Sequence, residues 1–274
     1  MSLLLAGVLL VSSSTSTLGQ GIGKRENDVR VWNGRPRCSD IRASTASSWL
    51  PAAMCALAKS SERIQTKIIE NLDDDDPEKD KEYPQKLRIH IFNQDLTPWS
   101  HDCAYDEIGW DDSNGLNWWT APIHQAVIKQ DGGWYINKET NDFQSDNTVT
   151  WDPALGLRIL TGIESQVKVK GKDFTDSIDD EKDEGIDKAW SWLKANADRS
   201  PMIITTRPYK DDDDPGLVAL NAKQCYTVMT TAHDGQGDWI ELFDPFANKQ
   251  EWYKWADVVQ DLDQIGHLKD FASV

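Results

Sequence analysis

The side chains able to carry covalent or acid–base chemistry are few and dispersed. The chain holds four cysteines, Cys38, Cys55, Cys103 and Cys225, and five histidines, His90, His101, His124, His233 and His267. No Cys-x-x-Cys or His-x-x-x-His spacing occurs, so the pattern gives a zinc site no support. In an oxidising compartment the four cysteines can form disulfides, and three pairings are open. Cys55 falls in an apolar, Ala-rich run and reads as a buried or disulfide-linked sulfur; Cys225 reads as a core residue of a strand. Two acidic runs, Asp73 to Glu82 and Asp211 to Asp214, lack the glycine and terminal glutamate of an EF-hand loop. They read as solvated loops with weak calcium affinity at most, and no cofactor is expected.

The elements that must position these groups follow from periodicity. Ser47 and Ser48 precede Trp49 to Leu57 (WLPAAMCAL), where a serine start, a proline in the first turn and an apolar body predict a buried, central helix. The polar stretch AKSSERIQTKIIENL behind it predicts its continuation. Leu87 to Phe92 alternates and reads as a strand, and Asn117 to Lys129 as a second helix stopped by Asp131-Gly132-Gly133. Leu155 to Gly162 closes this half. Beyond a charged linker, Gly185 to Ala197 has amphipathic helical spacing. Met202 to Thr206, Cys225 to Ala232 and Trp239 to Phe243 then read as consecutive antiparallel strands. Helices first and strands after imply an α+β fold with a helical lobe at 26–170 and a β lobe at 171–274.

Charge and the N-terminal run bound the setting. Twenty-nine Lys and Arg against 46 Asp and Glu leave a net charge of −17, which opposes a nucleic-acid or anionic-membrane partner. Leu3 to Val11 is too short to cross a hydrocarbon layer of about 30 Å, but it suits the apolar region of a signal peptide. Residues 1–25 therefore read as a signal peptide with a short pro-segment ending at Lys24-Arg25. The expected location is extracellular, with no membrane anchor.

Several stretches, taken in order, resemble the catalytic core of the calpain family, which has a papain-like cysteine protease fold. Arg42 to Met54 (RASTASSWLPAAM) resembles the family segment in which an oxyanion-hole glutamine lies six residues before a nucleophilic cysteine followed by Trp-Leu-Leu-Ala-Ala. Asn117-Trp118-Trp119 and Leu160-Thr161-Gly162 resemble the family's helix beginning Phe-Trp and its later Leu-Thr-Gly. Lys223 to Val228 (KQCYTV) resembles its Gly-His-Ala-Tyr-Ser-Val. Asp244-Pro245-Phe246, with Trp252 and Trp255 beyond, resembles its Asn-Pro-Trp and later spaced tryptophans. The resemblance covers residues 38–258 and implies two lobes with a cleft between them.

At the family's functional positions this chain holds Ser48 for the cysteine, Gln224 for the histidine, Asp244 for the asparagine and Arg42 for the glutamine. A papain-type site works through a thiolate–imidazolium pair at a helix N-terminus. The Gln224 amide takes up no proton, and losing nucleophile or base from a comparable triad costs about 10⁶ in turnover. Arg42 still carries N–H donors suited to an oxyanion. The Gln224 amide is expected to donate to Asp244 and accept from the Ser48 hydroxyl, bridging the lobes. Ser48 also fits a plain helix N-cap, and Trp118, Trp119, Trp252 and Trp255 fit packing roles. The resemblance thus implies a secreted, catalytically inactive protease homologue that binds a protein or peptide in its interlobe cleft. The alternative is a working hydrolase in which Ser48 attacks and a histidine from elsewhere, His101 or His233, supplies the base.

Overall fold

The structure, a computed structural model, describes residues 31, 34–43, 48–73, 84–93, 95–105, 117–130, 136–137, 142–143, 153–170, 184–208 and 216–270. The expected signal peptide and pro-segment, the acidic runs at 74–82 and 211–214, the stop at 131–133 and the charged linker at 171–183 lie outside the described residues.

Helix α1 spans Trp49–Ser60, with Pro51 in the first turn, where a backbone N–H has no helical acceptor. Trp49 to Ala58 are all buried, as an apolar helix in the middle of a fold requires. The helix does not continue through the polar stretch expected to extend it. Ser60 Oγ donates back to the Ala56 carbonyl, and Ser61 turns extended at φ −155°. The β-branched Ile64, Thr66, Ile68 and Ile69 disfavour further helix. They form instead a π-helical turn, Ile64–Ile68, leading into strand β1, Ile69–Asn71.

Strand β1 pairs antiparallel with β2, Lys86–Phe92, and β2 with β3, Pro98–Ala104. The first half is therefore not purely helical: it contains a three-stranded sheet that buries Leu87, Ile89 and Ile91. Helix α2, Thr120–Lys129, starts just after Trp118 and Trp119, both of which are buried. A short antiparallel pair follows, β4 at Ile136–Asn137 and β5 at Asp142–Phe143. Helix α3, Leu155–Thr161, crosses α1 at very close range, because a Cβ at Gly156 would fall 2.5 Å from Ala53 Cβ. Gly162 ends α3 in the left-handed conformation, with φ 67°.

The second half is built on one antiparallel sheet. Its strands are β6 Ser165–Val169, β7 Met202–Thr206, β8 Cys225–Asp234, β9 Gly237–Asp244, β10 Lys249–Lys254 and β11 Leu262–Leu268. They lie in the order β10-β9-β8-β7-β11-β6, with helices α4, Glu184–Asn196, and α5, Trp255–Asp261, in the same half. Strand β6 belongs to this sheet, so the β half reaches back to residue 165, before the boundary drawn at 170.

Alternation along the strands gives the sheet two buried faces. Ile203, Cys225, Phe243 and Leu268 join the core around α1. Ile204, Tyr226, Val228, Ile240 and Leu242 join a second core with Trp190 and Leu193 of α4 and Trp255 and Val258 of α5. Lys59, near the end of α1, donates through Nζ to Ala197 O at 2.6 Å and Val228 O at 3.2 Å, tying the two halves. Burial lowers its pKa, and the charges of Asp198 and Glu241 oppose that shift. Among the described residues no helix is long and apolar enough to cross a membrane.

Of the three open pairings, Cys38–Cys55 is the disulfide, while Cys103 and Cys225 are buried thiols outside it. The bond fastens the chain before Ser48 to the middle of α1 across a separation of 17 residues. The double substitution Cys38→Ser with Cys55→Ala should cost about 3 kcal/mol, the closure entropy of a loop that size. Urea unfolding checks this, and a midpoint equal to that of the unaltered chain would refute it.

Candidate functional site

Ser48 occupies the N-cap position of α1, but its side chain caps nothing. Its hydroxyl oxygen instead accepts the backbone N–H of Cys225, the first residue of β8, at 2.7 Å. Thr227 repeats the tie two residues on by donating to Ala52 O at 2.7 Å. The start of the helix and the start of the strand are thus joined by polar bonds inside the core, and Ser48 is only 3% exposed.

Gln224, just before β8, is 5% exposed and donates through Nε2 to Asp244 Oδ1 at 2.7 Å. Contrary to the expectation from sequence, its Oε1 does not accept from Ser48. It accepts the Tyr226 hydroxyl at 3.1 Å, and the Tyr226 oxygen in turn receives the Asn221 N–H at 2.9 Å. Strand parity explains the difference, since residues 224 and 226 share a face while 225 and 227 face α1. The Gln224–Asp244 bond also runs between neighbouring strand ends of one sheet and does not tie the two halves of the chain together. Ser48, Thr227 and Lys59 supply bonds that do.

The carboxylate of Asp244 serves the turn between β9 and β10, since Oδ1 also receives Phe246 N at 2.8 Å and Ala247 N at 3.1 Å. Burial pushes the Tyr226 phenol far up, and the charge of Asp244 adds to the shift. Burial likewise raises Tyr253 to about 12, helped by Glu251 and Asp244. Arg42 is exposed, and its neighbour Ala43 donates to Pro245 O at 2.8 Å, which sets the segment 41–43 beside the Asp244–Pro245 turn. Arg42, Ser48, Gln224 and Asp244 are therefore brought to one end of the six-stranded sheet.

As chemistry, this is a closed chain of donors and acceptors that starts at a backbone amide and ends at a carboxylate. Among the described residues no hydrogen bond links the Ser48 hydroxyl to a titratable side chain. His233 pairs with Asp238 at 2.8 Å and lies eight residues along β8 from Cys225, about 25 Å of extended chain. It cannot act on Ser48. His101 belongs to β3 of the other sheet and stacks on Trp99 with ring centroids 5.7 Å apart. A cavity of about 180 Å³ is lined by Arg35, Lys59, Ser61 and Gln65, at the far end of α1 from Ser48.

Other expectations need adjustment. Trp118, Trp119 and Trp255 pack in the core, but Trp252 on edge strand β10 is 45% exposed. Asp73 is not a solvated loop residue: it is buried and receives the backbone N–H groups of Gln85 and Lys86. No cluster of His, Cys, Asp and Glu suited to a metal occurs among the described residues. The sequence reading missed Tyr226 and Thr227 as members of the site. The period-two pattern of KQCYTV, which pairs Gln224 with Tyr226 and Cys225 with Thr227, was the signal that could have found them. No protein-family model and no curated protein matches the chain.

Proposed function

We propose that the chain is a secreted protein with a papain-like, two-lobed core of calpain type, that it has lost peptidase chemistry, and that it binds a protein or peptide between its lobes. The observation that carries this reading is the state of the Ser48 hydroxyl. One of its lone pairs is taken by the Cys225 amide, and the residue at the position where the resemblance expects the base is Gln224, whose side chain turns to Asp244 and Tyr226 instead. A serine hydroxyl attacks a carbonyl only if something removes its proton, and an amide cannot. The hydrogen bonds that remain hold the positions together without a titratable base.

Two further features support the reading. Helix α1 is buried between α3 and strands β7 and β8, as a central helix would be. The Cys38–Cys55 disulfide accords with an oxidising, extracellular setting. Exposed Arg42, beside the Asp244–Pro245 turn, is the group best placed to meet a ligand at this end. The test is direct. The purified protein should degrade unfolded casein no faster than the Ser48→Ala variant, and peptide mapping after fluorophosphonate treatment should find Ser48 unlabelled. Proteolysis that disappears with Ser48→Ala, or label on Ser48, would overturn the proposal.

A further inference from the structure

A second group of side chains, on the open face of the three-stranded sheet, has the connectivity that the Ser48 site lacks. Glu70 of β1, His90 of β2 and Ser100 of β3 form one line across the sheet. His90 Nε2 lies 2.9 Å from Glu70 Oε2, and His90 Nδ1 lies 2.8 Å from Ser100 Oγ. Register builds the line, because His90 is directly opposite Ser100 while Glu70 is opposite Arg88, one step along the same face. Arg88 holds Asp102 through two bonds, at 2.6 and 3.0 Å, and stands 3.8 Å from Glu70. The carboxylate of Glu70 thus sits between a guanidinium and the imidazole.

We propose that Ser100 is a nucleophilic serine activated by His90, with Glu70 as the positioning carboxylate, and that it reacts with small activated esters. The Glu70 carboxylate accepts a hydrogen bond only if the imidazole proton is on Nε2. That tautomer leaves the Nδ1 lone pair to accept the Ser100 proton. On attack, the Ser100 proton passes to Nδ1 while Oγ bonds to the ester carbonyl carbon. The ester C–O bond then breaks, the alcohol leaves with the proton from His90, and water hydrolyses the acyl-serine by the same route. The face is open, and water rather than a protein donor meets the developing oxyanion. The substrate must therefore bring its own good leaving group, such as a phenol. The roles are those of a serine–histidine–carboxylate triad, which is defined by geometry and not by sequence position. The proposal is independent of how the Ser48 site is read.

The experiment treats the whole protein with a fluorophosphonate probe and with 4-nitrophenyl acetate, and locates the adduct by peptide mapping. Label is expected on Ser100 and absent in Ser100→Ala. Since general-base assistance contributes roughly 10²-fold or more, His90→Asn should slow both reactions by about 100-fold. Glu70→Gln should slow them less, lowering kcat for 4-nitrophenyl acetate while leaving KM unchanged, and Glu70→Asp should recover part of the loss, because the carboxylate only orients the imidazole. A merely structural Glu70 would give no such split and no rescue. All three positions are at the surface, so the variants should keep the native circular dichroism spectrum. Absence of label on Ser100, or label that His90→Asn leaves unchanged, overturns the proposal. Label on Ser48 would count instead against the inert reading of that site.

Discussion

Asp261→Ala should destabilise the protein by about 4 kcal/mol, the largest single-residue loss expected here. Asp261 ends α5 and is completely buried. Its Oδ1 receives Val218 N at 2.7 Å, and its Oδ2 receives Ala219 N at 2.7 Å and Leu220 N at 2.9 Å. Three successive backbone amides converge on one carboxylate, an anion nest whose anion is supplied by the protein itself. Each hydrogen bond to a charged acceptor contributes about 1.5–3 kcal/mol, and an abandoned buried N–H carries its own desolvation penalty. Water can reach part of the vacated site, because Val218 is 57% exposed, which keeps the loss below the simple sum.

Against a total stability of about 5–15 kcal/mol for a domain, a loss of this size leaves little margin. Asp261→Asn should cost roughly half as much, since one oxygen still accepts while the new NH₂ faces N–H donors. Urea midpoints for the two variants decide the matter, and a loss below about 1 kcal/mol for Asp261→Ala would show that the nest does not hold the segment. The effect extends to the site. The segment fixed by Asp261 continues to Asn221, whose N–H meets the Tyr226 hydroxyl and through it Gln224.

What the sequence made legible was whatever depends on local pattern. The apolar run of α1, the alternation of β7 through β9 and the spacing of α4 all appear near their expected places. Strands β6, β10 and β11 were not legible. KQEWYK carries its two aromatics, Trp252 and Tyr253, side by side, and LDQIGHL is interrupted by a glycine, so neither shows clean alternation; their partners along the sheet define them. The π-helical turn at Ile64–Ile68 failed for the opposite reason, since its helical spacing is real but its β-branched residues prefer a strand beyond.

The candidate site divides along the same line. That Ser48, Gln224 and Asp244 should be sought together followed from the family resemblance, not from the residue pattern alone. The partner of Ser48 did not, because a backbone N–H leaves no mark in a pattern of side-chain types. Nor did the Glu70–His90–Ser100 line, which exists only once the register of β1, β2 and β3 is set. The disulfide likewise required geometry: four cysteines offer three pairings, and only folding brings Cys38 to 4.5 Å from Cys55, measured Cα to Cα.

The combined variant Ser48→Cys, Gln224→His, Asp244→Asn should gain a thiol at position 48 that iodoacetamide alkylates at pH 6 at least tenfold faster than in Ser48→Cys alone. An ordinary thiol with pKa about 8.5 is roughly 0.3% thiolate at pH 6. An imidazolium partner at a helix N-terminus brings such a pKa to about 7.5 or lower, which raises that fraction at least tenfold. The geometry needed is partly in place. The side-chain oxygen at 244 already accepts from residue 224 at 2.7 Å, and asparagine keeps that acceptor together with the N–H groups of Phe246 and Ala247. The obstacle is parity. Gln224 shares the face of Tyr226, and the contact between β8 and Ser48 runs through the amide of Cys225. An imidazole at 224 must leave the tyrosine hydroxyl and turn toward α1 to meet the thiol. If it does, residue identity alone separates this chain from a working thiol enzyme. Equal alkylation rates in the triple and single variants, read at position 48 by peptide mapping and with buried Cys103 and Cys225 unreactive in both, would place the difference in the backbone of β8 and break the resemblance to a protease in the β half.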